Sequence, residues 1–304
     1  MGIHVSVIIC THNPRTDYLD RVLKALRDQT LQDDKWELLL VDNASQPPLE
    51  SRFDLRWHPS SRHIREEELG LTPARLRGTS ESCGRLLVFV DDDNVLAPDY
   101  LANALDISIS KPHIGAFGSS IVAEFEQQPS PEVSKYVSYL AVEEITQDVW
   151  SNLTQFSRAV PLGAGLCVRR VVAHEYSRRV NVGTKERLLG RVGNDLGGHE
   201  DTDFAFVATD IGMGMGRFHH LKLTHLIPSW RLTEDYIIRI AAGGARTMTI
   251  LMFLRNMTIP KPVPKWLELA RFALHFIRAS RLERRILVAT HRAQRQVKLE
   301  LGLP

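Results

Sequence analysis

Residues 86–94 read Leu86-Leu87-Val88-Phe89-Val90 and then, without a break, Asp91-Asp92-Asp93-Asn94. Five consecutive apolar residues without alternation fit a short strand buried on both faces, the kind that fills a parallel sheet. Three carboxylates follow at its C-terminal end. Like charges about 4 Å apart repel by roughly 1 kcal/mol even in bulk water, and by more where solvent is partly excluded. A divalent cation relieves that repulsion, and Mg2+ or Mn2+ suits hard oxygen ligands. In an extended segment Asp91 and Asp93 point to the same side, so one can engage a cation while its neighbour reaches a ribose or diphosphate. An acidic turn without a ligand is the plainer alternative.

The same grammar recurs on either side. Val5–Cys10 is an apolar run that stops at Thr11-His12-Asn13-Pro14, and Trp36–Val41 stops at Asp42-Asn43-Ala44-Ser45. Between them, Leu19, Val22, Leu23 and Leu26 recur at helical spacing, with Asp17 as an N-cap-like start. Strands separated by helix-length segments imply right-handed βαβ units and a mostly parallel α/β sheet. Ligands of such sheets bind beyond the carboxyl ends of the strands, and all three ends here are polar. Asp, Asn and Ser also make turns and caps, so Asp42 or Ser45 alone decides nothing.

Further along, Val160–Val168 reads as a strand entered through Gly163 and Gly165. From Arg178 to Gly198 lies a polar stretch with Arg178, Arg179, Lys185, Arg187 and Arg191. It is expected to be either a lid carrying cations toward a diphosphate or a solvated loop. Glu200-Asp201 follows, with a helix expected from Thr202 onward; carboxylates there can serve as helix caps or as a general base. Histidines gather at 219, 220 and 225, and Tyr236–Ile240 fits a short helical stretch. Leu269, Phe272, Ala273, Phe276 and Ile277 form an apolar stripe, with Arg271, His275, Arg278 and Arg281 beside or opposite it.

Composition narrows the class. Of 304 residues, 43% are hydrophobic and 24% charged, which excludes wholesale disorder. A net charge of +2 gives no whole-chain reason to expect nucleic acid as a partner. Cys10, Cys83 and Cys167 are odd in number and scattered; they exclude a disulfide framework and a CxxC-type zinc site, and fit a cytoplasmic compartment. The N-terminus is not expected to be a signal peptide, and the apolar run Met248–Leu254 is too short to span a bilayer. The charge is unevenly spread: Arg255 to the C-terminus holds 11 basic and three acidic residues, leaving 27 basic against 33 acidic before it. The acidic part suits a metal cation. The basic part is expected to pack on the preceding domain, to homodimerise, or to lie on an anionic membrane surface.

Six segments carry a resemblance: SVIICTHN (6–13), LLLVDNAS (38–45), GLTPARLRG (70–78), LLVFVDDDN (86–94), VPLGAGLCVRR (160–170) and GGHEDTDFAF (197–206). In this order they are similar to the GT-A fold glycosyltransferases of family 2, over about residues 4 to 240. The resemblance implies a Rossmann-like central sheet flanked by helices (1–240) and leaves 241–304 as a helical basic extension. It implies inverting transfer of a sugar from a nucleoside-diphosphate donor to an acceptor hydroxyl; nucleotide-sugar use and the reduced cysteines then fit cytoplasmic work, and the basic tail points to a glycan or lipid-linked acceptor at the inner face of the membrane. By position, Thr11, Asn13, Asp42, Asn43 and Arg75 are expected to hold the nucleotide. Asp91, Asp92 and Asp93 form the DXD element that is expected to share the Mn2+ or Mg2+ and the donor, with Asp93 as the direct ligand, Asp91 beside it and His225 as an additional one. Asp201 is the expected general base and Glu200 its neighbour. Two residues depart from the pattern. Asn43 stands where uridine-diphosphate users commonly have a second aspartate, and Leu76 where an asparagine is usual.

Two other functions are weighed. A sugar-1-phosphate nucleotidyltransferase would carry a glycine-rich loop with a catalytic basic residue after its first strand, where this chain has Thr11-His12-Asn13-Pro14-Arg15. A non-catalytic scaffold on a decayed transferase fold would not need Asp91, Asp93, Glu200 and Asp201 together.

Overall fold

The three apolar runs expected to be strands are strands: β1 (Val5–Thr11), β2 (Trp36–Asn43) and β4 (Leu86–Val90); a strand that no apolar run announced, β3 (Ser61–Glu66), lies between the last two in the chain. The computed structural model describes residues 2–183, 189–191, 193, 196–257, 274 and 276–303. Five more strands complete one sheet: β5 (Asn94–Leu96), β6 (Ile114–Phe125), β7 (Val149–Ser151), β8 (Leu166–Arg169) and β9 (Gly214–Ile227). Their order is β3-β2-β1-β4-β8-β6-β9-β5, with β7 on β9. Neighbours from β3 to β4 are parallel, as is β6 with β9, whereas β8 runs against both of its neighbours, and β5 and β7 run against β9.

The expected parallel pattern is therefore confined to the first four strands and the β6–β9 pair. The reversal of β8 matters for the site. Leu166 pairs with Phe89 and Arg169 with Leu86, so the entry to β8 lies at the edge where β1, β2 and β4 end. The strand itself is shorter than its sequence suggests, because residues 161–165 form a turn before it. Gly165 takes a left-handed φ of 68° there, and its carbonyl accepts a hydrogen bond from the Tyr100 hydroxyl at 2.6 Å.

Helices cover both faces: α1 (Thr16–Arg27), α2 (Leu71–Glu81), α3 (Tyr100–Ser110), α4 (Pro131–Ser134), α5 (Arg170–Val182), α6 (Glu200–Asp210), α7 (Glu234–Leu254) and α8 (Arg281–Glu300). Alternation along each strand divides the core. Val7, Ile9, Leu38, Leu40 and Val88 face α1 and α3 in one cluster, and Ile8, Leu39, Val41, Leu87 and Phe89 face α2, α5 and α6 in the other. The stripe Leu19, Val22, Leu23 and Leu26 is the buried side of α1. Asp17 lies inside its first turn rather than at the cap, paired with Arg15 at 2.6 Å.

The short helix expected at Tyr236–Ile240 is the first part of a 21-residue helix that runs unbroken across residues 240 and 241. By length and mean hydropathy α7 would suffice to cross a bilayer, which the run Met248–Leu254 alone would not. It also carries Glu234, Asp235, Arg239 and Arg246, and it packs with Val133, Leu140 and Ile227 of the domain and with Leu282 and Ile286 of α8. Leu282, Ile286 and Val297 are the buried residues of α8. At about 1.5–3 kcal/mol for each fully buried side chain, they hold α8 far more firmly than its exposed pairs from Arg285 to Glu234 and Asp235, since exposed pairs contribute about 0–1 kcal/mol each. Leu269, Arg271, Phe272, Ala273 and His275 lie outside the described residues; of the rest of that stripe, Ile277 is exposed.

Candidate active site

The ends of β1, β2 and β4, the turn before β8, the first turn of α6 and the segment after β9 surround one cleft of about 490 Å³. Thr11, Asn43, Arg75, Asp91, Asp92, Asp93, Glu200, Asp201 and His225 all line it. These residues come from six separate stretches of chain, and the topology brings them to one edge of the sheet.

Asp93 and His225 meet because of strand register. Asn94, the first residue of β5, pairs with His225 on β9, and the Leu226 N–H donates to the Asp93 carbonyl at 2.8 Å. The Asp93 Oδ2 consequently stands 3.3 Å from His225 Nε2, while Asn94 Nδ2 donates to Oδ1 at 2.9 Å. Ligands at right angles on an ion with bonds of about 2.1 Å lie about 3 Å apart, so this carboxylate and imidazole fit a shared divalent cation. The buried His225 Nδ1 has no hydrogen-bond partner among the described residues. Arg231 Nη1 donates to the same Asp93 Oδ2 at 2.9 Å and lies 3.4 Å from His225 Nε2. Burial acts to raise the Asp93 pKa, but His225 and Arg231 outweigh it and hold this carboxyl well below the usual carboxylate range.

The other two aspartates behave differently. Asp92 accepts a hydrogen bond from the Thr11 hydroxyl, yet burial and the neighbouring Asp93 push it up to about 7. Asp91 is also raised, chiefly by burial, with Arg75 opposing. Adjacent carboxylates thus split in proton affinity, as expected for like charges crowded together without a bound cation.

Arg75 joins the two ends of the cleft. It is buried on α2, with Nη2 3.9 Å from Asp91 Oδ1, Nη1 3.6 Å from Glu200 Oε2, and its guanidinium carbon 5.4 Å from the Phe89 ring centroid. Burial opposes its charge, but Glu200 and Asp91 outweigh that and keep it a cation. Glu200 is buried, and neither of its oxygens has a hydrogen-bond partner among the described residues. Burial raises its pKa against the pull of Arg75. The helix begins here, two residues earlier than expected, so Glu200, Asp201 and Asp203 all occupy its first turn. Asp201 Oδ1 accepts from the Thr202 N–H at 2.8 Å. A Cβ at Gly163 would lie 3.3 Å from Asp201 Oδ2 and 3.5 Å from Arg75 Nη2; the glycine keeps this part of the cleft open.

Two expected nucleotide residues are used differently. The Asp42 carboxylate accepts from the Ser45 and Leu49 N–H groups and from Arg65, all within 2.9 Å, and it does not line the cleft. Asn13, with φ of 47°, accepts from the Gln46 N–H at 2.9 Å through its side-chain oxygen and braces the loop after β2. Asn43 lines the cleft, but its amide is engaged by Glu66, Glu68 and Gly70 backbone groups. The expected cationic lid is described only in part. Arg178 and Arg179 belong to α5 and pair with Glu175; Arg191 lines the cleft; Lys185 and Arg187 lie outside the described residues. His219 and His220 do not line the cleft and meet Asp148 instead, 2.7 and 3.8 Å from its Oδ1.

Sequence reasoning missed Arg231, His199, Trp230 and Tyr236, which all line the cleft. The available signals were neighbourhood in the chain: Arg231 follows His225 by six residues, and His199 directly precedes Glu200. Cys10 lines the cleft as well, but burial raises its thiol far above the usual range, so it offers no thiolate nucleophile.

The model of Glycosyl transferase family 2 matches residues 6–166, more than half of the chain. Glycosyltransferase AglE of Haloferax volcanii is 34% identical over 92 residues, 29% of this chain and 30% of that protein. The matched segments span about a third of the length of the curated relatives. The structure of S. aureus TarS 1–349 in complex with UDP is similar with a TM-score of 0.52 at 14% identity, covering 99% of this chain and 92% of that one. That of GalNAc-T7 with UDP, GalNAc and Mn2+ is similar with a TM-score of 0.53 at 15% identity, covering 82% and 51%. The structural likenesses establish the GT-A fold, and the family match takes in β1, β2, β4 and the turn before β8, whose ends build the cleft. The chain belongs to glycosyl transferase family 2.

Proposed function

We propose that this protein is an inverting glycosyltransferase that moves a sugar from a nucleoside-diphosphate donor to an acceptor hydroxyl. One observation carries the reading: a single cleft holds the carboxylates of Asp91 and Asp93, the buried cation Arg75 and the carboxylates of Glu200 and Asp201. A divalent ion held by Asp93 and His225 would offset charge developing on the leaving diphosphate. Thr11 fixes Asp92 against the nucleotide side, and Arg75 balances Asp91 and Glu200 so that the cleft tolerates several carboxylates. Asp201, at the open side left by Gly163, accepts the proton of the acceptor hydroxyl as its oxygen attacks the anomeric carbon from the face opposite the diphosphate. The UDP in the TarS structure supports a nucleoside diphosphate as the leaving group.

Replacing Asp201 by Asn tests the assignment. General-base removal is expected to cost on the order of 10²- to 10⁴-fold in kcat, while nucleotide binding in a thermal-shift assay is retained. Unchanged turnover in Asp201→Asn would overturn it. Release of free nucleoside diphosphate, not pyrophosphate, separates this activity from a nucleotidyltransferase.

For the acceptor, we propose a glycan or lipid-linked glycan at the cytoplasmic face of a membrane. Support comes from α8, whose exposed residues include Arg281, Arg284, Arg292 and Arg295, with exposed Ile277 and Leu299 near its two ends.

A further inference from the structure

The pair Asp93–His225 is already in contact with a cation of the protein's own. Arg231 Nη1 engages the same two atoms, Asp93 Oδ2 at 2.9 Å and His225 Nε2 at 3.4 Å, that a divalent ion would need. The guanidinium comes from the turn Ser229–Leu232 just after β9, so its approach needs no distant element. Its engagement is also incomplete. A guanidinium has five N–H donors, yet the buried Arg231 Nε has no hydrogen-bond partner among the described residues. A buried donor left unpaired is unfavourable, and here it belongs to a side chain lining the cleft. Two cations cannot share one carboxylate oxygen and one imidazole nitrogen at close range without strong repulsion.

We propose that Arg231 is the resident cation of the Asp93–His225 seat, that a divalent ion enters only by displacing it, and that the displaced guanidinium then pairs with the diphosphate of the donor. This rests on the metal-assisted reading above. It deepens that reading by making metal entry and donor capture one exchange: the arginine leaves one anionic partner and gains another, for which its planar fork is suited. Protein without donor would then hold its metal weakly, because the seat is rarely vacant.

The experiment is Mn2+ binding, followed by electron paramagnetic resonance without nucleotide, in wild type, Arg231→Gln and Asp93→Asn. If the seat is open in about a tenth of wild-type molecules, freeing it tightens apparent Mn2+ binding about tenfold; that is the expectation for Arg231→Gln. With Mn2+ saturating, the same variant should bind UDP about tenfold more weakly, having lost a charge-assisted contact. Equal or weaker Mn2+ binding by Arg231→Gln, including none in either protein, overturns the proposal, and unchanged UDP affinity overturns the handover to the diphosphate. Should Arg231→Gln fail to fold, Arg231→Met keeps the apolar stem and carries the same expectations. Asp93→Asn separates the two levels. Mn2+ binding that survives it unchanged removes the metal seat itself, whereas Asp93-dependent binding that is indifferent to Arg231 removes only this inference.

Discussion

Asp42 shows how a single carboxylate at a strand end is spent on structure. It accepts two backbone N–H groups and one guanidinium hydrogen bond, and its side chain is 5% exposed. Burial acts to raise its pKa, but the bonds from Ser45 and Leu49, with Arg65, outweigh it and leave the pKa lowered. A lowered folded pKa places the stabilisation above the unfolded value of about 3.9, and it is lost as pH falls through the folded value. Asp42→Asn is expected to lower unfolding free energy by about 1.5–3 kcal/mol at pH 7, measured by urea denaturation. The difference from wild type should shrink below about pH 4; a difference that stays constant down to pH 2 would sink the assignment. Sequence could not separate Asp42 from Asp91, because both end apolar strands in polar residues. What separates them is whether backbone N–H groups turn back to meet the carboxylate, and that depends on the loop conformation, not on residue type.

At the scale of elements, β1, β2 and β4 were legible as unbroken apolar runs buried on both faces, and α1 because burial imposes a helical period on its side chains. The register that makes the site was not. Nothing in Leu166–Arg169 says that β8 opposes β4, and nothing in His225 says that it faces Asn94 across an antiparallel pair; both follow from where connections return the chain. The length of α7 also escaped notice, since its charged and small residues blur the apolar stripe. That length has a consequence for catalysis. Thr247, on its fourth turn and buried, receives the Gly198 N–H at 3.2 Å and lies 3.0 Å from His199 Nδ1, while its hydroxyl reaches back to the Gly243 carbonyl at 3.0 Å. A helix behind the cleft thus fixes the two residues that precede Glu200 and Asp201. Thr247→Val keeps the shape and removes the hydroxyl. It should cost about 1–3 kcal/mol through the unpaired Gly198 N–H, read by thermal melting, and lower kcat more than it changes donor KM. A fall in stability with kcat untouched would show that α7 supports the fold without positioning the base.

Across the whole molecule, the near-neutral charge conceals a division of labour. Residues before Arg255 carry 27 basic and 33 acidic side chains, and the remainder 11 and three. The acidic surplus is spent partly in the cleft, where Arg75, Arg231 and the proposed metal answer it. The basic surplus is answered internally in part, since Arg255 pairs with Asp203 and Asp210 and Arg285 with Glu234 and Asp235, but Arg281, Arg292 and Arg295 sit on the exposed side of α8. Buried Leu282, Ile286 and Val297 fix that helix to the domain, so the arginines present a fixed array and not a flexible tail. Each basic side chain near an anionic bilayer contributes about 1 kcal/mol, and exposed Leu299 adds an apolar contact. Replacing Arg281, Arg292 and Arg295 together by Gln removes about 3 kcal/mol of that attraction. Cosedimentation with phosphatidylserine-containing vesicles should therefore fall on the order of 100-fold, with thermal stability and turnover on a soluble acceptor unchanged because none of the three lines the cleft. Screening supplies a second reading of the same interaction: with a Debye length of about 8 Å at physiological salt and about 3 Å at 1 M, wild-type binding should fade as salt rises. Vesicle binding that ignores both the substitutions and the salt would assign membrane contact to another surface, and no binding at any salt would leave α8 as a structural brace alone.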